Sequence, residues 1–151
     1  MAQAYERDVM RRFRAASAAA ATILGMGLLP AGEASALGGE WLGCRVAPGT
    51  VFTFSQFCSN TANSASSYGV AFQVQSETAP STYSWSVPAE FVSRISEGCT
   101  STSNWCKVTV PNKDADITVS VTLTQGGSSV TLTSTATIMK TCYYANTWQY
   151  C

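Results

Sequence analysis

The chain has 151 residues, a formal net charge of zero, no histidine and six cysteines. Without histidine there is no Ser-His or Cys-His catalytic arrangement and the commonest general base is missing. Without a basic surplus there is no patch to gather phosphates, so nucleic acid is excluded as an expected partner.

The first 36 residues carry Arg11, Arg12 and Arg14, then the uncharged run Ala15–Leu29, then Pro30 and the small-x-small triplet Ala34-Ser35-Ala36. Basic block, short apolar run and small-residue exit are the three parts of a secretory signal peptide. The apolar run falls short of the roughly 20 residues a spanning helix needs. Residues 1–36 are therefore expected to be a cleaved helical signal peptide, with Met10 an alternative start to Met1. Residues 37–151 are expected to form one secreted or periplasmic domain with no membrane span after cleavage.

All six cysteines lie in that domain: Cys44, Cys58, Cys99, Cys106, Cys142 and Cys151. An even number in a short exported chain reads as a disulfide framework. Spacing favours the pairs 44–58, 99–106 and 142–151, which close short loops. The rival ties Cys44 to Cys142 or Cys151 and joins the ends of the domain. There is no C-x-x-C pair and no histidine, so neither a zinc clip nor a redox dithiol is expected, and no metal or cofactor is assigned.

Leu37–Gly43 reads as a loose lead-in, Val51–Phe54 as a first strand and Cys58–Ser67 as a small, polar, mobile loop. Tyr68–Gln75 alternates with Tyr68, Val70, Phe72 and Val74 on one face, the period-two signature of a strand. Tyr83–Val87 puts Tyr83, Trp85 and Val87 together, with Trp85 expected between two sheets. Phe91–Ile95 reads as a short edge strand and Cys106–Val110 as another strand. Ile117–Thr124 and Val130–Ile138 are the clearest pair. Gly126-Gly127 between them supplies the positive φ values of a two-residue hairpin turn. That turn sets Leu123 against Val130, Val121 against Leu132, Val119 against Ser134 and Ile117 against Ala136, so pattern and turn choose one register. About seven short strands with turn signals between them predict an all-β, antiparallel sandwich stapled by disulfides.

The stretches "TYSWSVPAEF" (Thr82–Phe91) and "DITVSVTLTQGGSSVTLTSTATI" (Asp116–Ile138) resemble bacterial PKD-like and other immunoglobulin-like domains, over roughly Tyr68–Lys140. The resemblance implies an immunoglobulin-like fold and a display, adhesion or spacer role with no catalytic residues.

Glu90 and Glu97 are read as solvated loop carboxylates, and Asp114 and Asp116 as turn and strand lead-in residues. The aromatic residues are the remaining candidates for function. Tyr143, Tyr144, Trp148 and Tyr150 crowd the segment between Cys142 and Cys151, and Trp41 is expected to join them. Stapled rings of this kind stack on sugars or fill a partner's pocket; the alternative is that they cover an open end of the sandwich. The expected function is a non-enzymatic binding or adhesion module of the bacterial cell envelope, its partner a protein or a glycan. Two alternatives are a secreted enzyme inhibitor presenting the Gly98–Cys106 loop and a subunit of a surface fibre.

Overall fold

The computed structural model describes residues 37–151, and the expected signal peptide lies outside the described residues. Their regular structure is β-strand apart from one short helical turn. In chain order the elements are β1 (Trp41–Ala47), β2 (Phe57–Ser59), β3 (Ser67–Gln75), β4 (Thr82–Ser86), α1 (Ala89–Val92), β5 (Ile95–Gly98), β6 (Trp105–Pro111), β7 (Ala115–Gln125), β8 (Ser128–Ile138), β9 (Thr141–Tyr144) and β10 (Thr147–Tyr150). One four-stranded sheet has the order β1-β3-β6-β5, a second the order β2-β8-β7-β4, and β9-β10 form a separate hairpin. All pairings are antiparallel except β2 with β8.

Alternation builds the core. Leu42, Cys44 and Val46 of β1, Tyr68, Val70, Phe72 and Val74 of β3, and Cys106, Val108 and Val110 of β6 are buried on one side of the first sheet. Ile117, Val119, Val121 and Leu123 of β7, with Ala136 and Ile138 of β8, are buried on the second, and all belong to one apolar cluster. The hairpin register is the predicted one, Leu123 opposite Val130 through Ile117 opposite Ala136, with Gly126 and Gly127 at φ +55° and +88°. Opposite Val119, the buried Ser134 donates its hydroxyl to the Gln56 carbonyl at 2.8 Å, so the polar group inside the core is satisfied.

Four expectations are corrected. The lead-in is strand β1 from Trp41 onward; its alternation is masked by Gly43, whose added Cβ would fall 2.7 Å from the Phe54 Cβ. Val51–Phe54 is not a strand: it lies on the connection from the first sheet to the second, and Val51 and Phe52 are exposed. Phe91–Ile95 divides into the single turn α1, which follows Pro88 and buries Phe91, and the start of strand β5. Trp85 packs against the core on the same face as Tyr83 but is only half-buried, because β4 is an edge strand; its indole N–H donates to the Ser103 carbonyl at 3.0 Å.

The cysteines pair in order, Cys44–Cys58, Cys99–Cys106 and Cys142–Cys151. Cys44–Cys58 joins β1 of one sheet to β2 of the other. The polar loop after Cys58 is pinned down. The Asn60 side chain bonds both backbone groups of Met139, at 2.8 Å each, and Asn112 does the same to Thr141 at 2.9 and 2.8 Å. Two asparagine amides thus complete the backbone hydrogen bonding of the segment that leads from β8 into the terminal hairpin.

Candidate functional site

The outer face of the first sheet is set by the residues that alternate with the core. They fall in rows across the strands. Arg45 of β1, Ala71 of β3 and Lys107 of β6 are register partners, with Glu97 of β5 beyond Lys107. In the next row stand Gly43, Gln73 and Trp105, and on the other side Ala47, Gly69 and Thr109. The central strand therefore offers only Gly69 and Ala71 between two long cationic side chains. Strand interiors favour large β-branched or aromatic residues; small ones here leave a floor.

The result is a trough of about 410 Å³, lined by Arg45, Phe54, Gln73, Trp105 and Lys107 over that floor. Phe54 forms one wall because the chain folds back at Ser55, whose backbone exchanges two hydrogen bonds with Cys44. Gly43 makes room for it and for the Trp41 ring, which lies against the same glycine. The Arg45 guanidinium sits 5.3 Å from the Phe54 ring centroid and donates to the Phe52 carbonyl at 3.4 Å. Among the described residues no carboxylate pairs with it; the ion pair present is Lys107 with Glu97, at 3.7 Å. One guanidinium edge is thus held by an aromatic ring and a carbonyl while other N–H groups are left for a ligand.

The predicted aromatic group divides. Trp41 stands at the Gln75 end of β3, whereas the β9-β10 hairpin meets the opposite end, where the Tyr68 hydroxyl contacts the Thr141 hydroxyl at 3.1 Å. Trp41 therefore belongs to the trough face and not with the terminal rings. In the hairpin, Ala145 and Asn146 both have positive φ, and Tyr143 pairs with Trp148, ring centroids 5.4 Å apart. Tyr150 reaches back to donate to the Asn60 carbonyl at 2.7 Å. Tyr143, Tyr144, Trp148 and Tyr150 are exposed by 60, 69, 37 and 46%, so Tyr143 and Tyr144 present most of their surface to solvent while Trp148 and Tyr150 are the more covered pair.

The 99–104 loop is bound to the fold. Its carbonyls at Ser101, Ser103 and Asn104 accept from the Tyr83 N–H, the Trp85 indole and the Val74 N–H, at 3.0, 3.0 and 2.9 Å. Beside it, burial and a hydrogen bond to Glu77 push the Tyr83 hydroxyl above the ordinary tyrosine range. Of the acidic pairs, Glu90 is in α1 and Glu97 pairs with Lys107. Asp114 accepts from the Lys140 N–H and Asp116 from the Thr137 hydroxyl, at 2.7 Å each, tying the start of β7 to the end of β8.

Of the residues that line the trough, the sequence pointed to Glu97, expected as a solvated loop carboxylate; Trp41, expected with the terminal rings, lies beside the lining on the same face. The signal for the others was present as outward positions of alternating strands, notably the small Gly69 and Ala71, but it becomes a site only once β1, β3 and β6 are known to be neighbours. No family model, curated protein or solved structure matches the chain.

Proposed function

We propose that the chain is an exported, non-enzymatic binding module of the cell envelope, built on an immunoglobulin-like sandwich, and that it binds through the outer face of its first sheet. The observation that carries this reading is the trough: a concave, aromatic-walled surface with a held but unpaired guanidinium, in a domain otherwise sparse in charge. The strand orders support the fold. With β1, β3, β4, β5, β6, β7 and β8 read as strands A to G, the sheets are ABED and GFC, the short β2 adding a parallel strand beside G, and Trp85 lies on strand C. Three disulfides, with no free cysteine among the described residues, accord with an oxidising compartment and leave no thiol nucleophile there.

The geometry favours this over an inhibitor that presents the Gly98–Cys106 loop. An inhibitory loop needs a protruding backbone, and three carbonyls of the 99–104 loop are already bonded to the domain. Fibre assembly by strand addition uses open edges; β1 and β4 are engaged at Cys44 and Tyr83, and β2 and β5 are the other two edges.

The test is a glycan array probed with the oxidised chain and with Trp105→Ala. We expect binding to a defined subset of glycans, lost in Trp105→Ala at an unchanged melting temperature. Binding that survives Trp105→Ala but is lost in Trp148→Ala would move the site to the hairpin. No signal on any glycan would contradict the reading.

A further inference from the structure

We propose that the ligand of the trough is an acidic saccharide, a sugar carrying a carboxylate, with Arg45 as the carboxylate-binding residue and Trp105 as the wall against which the sugar packs. This rests on the binding reading above and narrows it to a ligand class.

The charge distribution comes first. Residues 37–151 hold five cations, Arg45, Arg94, Lys107, Lys113 and Lys140, against six acids, Glu40, Glu77, Glu90, Glu97, Asp114 and Asp116. Two of the five cations line this one trough, and Glu97 is the single acid beside them. The site is net positive on a domain that is slightly negative. Arg45 and Lys107 flank Ala71 in one row, so their strands are two spacings, or about 10 Å, apart. Between them Gly69 and Ala71 present no side chain large enough to fill the gap. A Cβ added at Gly69 would meet the flexible Lys107 side chain at Cε, 3.2 Å away, and the backbone there is ordinary strand.

The two cations differ in what they have left to give. Lys107 is already neutralised by Glu97 at 3.7 Å. Arg45 has no such partner among the described residues, yet its side chain is fixed by the Phe54 ring and the Phe52 carbonyl. A planar, positioned guanidinium with free N–H groups matches a carboxylate through two parallel hydrogen bonds. Next to it the lining turns from charge to ring and amide, Trp105 and Gln73. An aromatic wall takes the apolar C–H face of a sugar, and an amide takes its hydroxyls, giving each part of an acidic pyranose a partner. A peptide's terminal carboxylate would use Arg45 but has no need of the Trp105 and Gln73 row.

The experiment titrates the oxidised full chain, expressed with its leader in an exporting host, with oligogalacturonate, oligoglucuronate and alginate oligomers. The same oligomers with methyl-esterified carboxyls and a C-terminal carboxylate peptide serve as comparisons. At least one uronide should bind, and its ester should bind at least about tenfold more weakly. Arg45→Gln should abolish that ratio, Arg45→Lys should keep part of it, and Trp105→Ala should weaken acid and ester alike. Near-UV circular dichroism confirms that each variant is folded. Acid and ester binding equally, or a ratio that survives Arg45→Gln, overturns the acidic ligand while leaving the binding module standing. The peptide binding where no uronide does overturns the sugar. Failure of every compound overturns the proposal, and if the glycan array is silent as well, the binding reading falls with it.

Discussion

Gly98 and Gly126 both sit at positive φ, but for different reasons. At Gly126 an added Cβ would meet nothing within 4 Å, so the glycine answers only the turn's demand for left-handed backbone. At Gly98 the Cβ would fall 2.3 Å from the Trp105 carbonyl oxygen, which is backbone and cannot swing away. The sequence announces the first case, since Gly-Gly between alternating runs is a hairpin signal. It conceals the second, because the clash depends on β5 lying beside β6. Replacement by alanine should cost about 1 kcal/mol at Gly126 and at least about 2 kcal/mol at Gly98, where strain and overlap add. Urea unfolding of the two variants measures this directly. Equal losses would mean that β5 and β6 are not packed as described.

At the scale of elements, legibility follows the strength of alternation. β7 and β8 alternate over their full length and are joined by a turn of fixed geometry, so both existence and register are readable before any coordinates. β1 alternates too, with Leu42, Cys44 and Val46 inward, but Gly43 and the preceding Gly38-Gly39 disguise it. Val51–Phe54 errs the other way: two apolar residues in alternation look like a strand, yet no neighbouring strand is available to pair with them and the Phe52 ring stays 79% exposed. β2 is too short to announce itself, and β9 and β10 are hidden by a stretch whose aromatics read as a binding loop. Strand order is not written in any local pattern, and so neither is the trough, whose walls come from β1, the loop after it, β3 and β6. The Cys99–Cys106 staple is an element whose consequence can be measured. Its loop covers Trp85 through the bond to Ser103. A Cys99→Ser, Cys106→Ser double variant should lose roughly 2–3 kcal/mol and make its tryptophan fluorescence more quenchable by iodide. A stability loss with unchanged quenching would separate the staple from the cover over Trp85.

Across the whole molecule the two outer faces are chemically unlike. The outward positions of β4, β7 and β8 are serines and threonines, with Asp116 the one charge among them. Several of their hydroxyls satisfy each other across the strands, Thr118 with Thr135 at 3.0 Å and Thr122 with Thr131 at 2.9 Å. The outer face of the first sheet holds Arg45, Lys107, Glu97, Trp41 and Trp105 around a floor of small residues. A face of mutually bonded hydroxyls has little left to offer a specific ligand, whereas a hollow with a ring, an amide and an unpaired guanidinium does. The function therefore turns on where a ligand lands. Its most direct test is amide and indole chemical-shift mapping of the ¹⁵N-labelled oxidised chain with the glycan that scores highest on the array. Perturbations should cluster at Arg45, Ala71, Gln73, Lys107 and the Trp105 indole, with the terminal hairpin and the threonine face unmoved. Perturbations centred on Tyr143–Tyr150, or spread over the threonine face with the Trp105 indole unchanged, would contradict it.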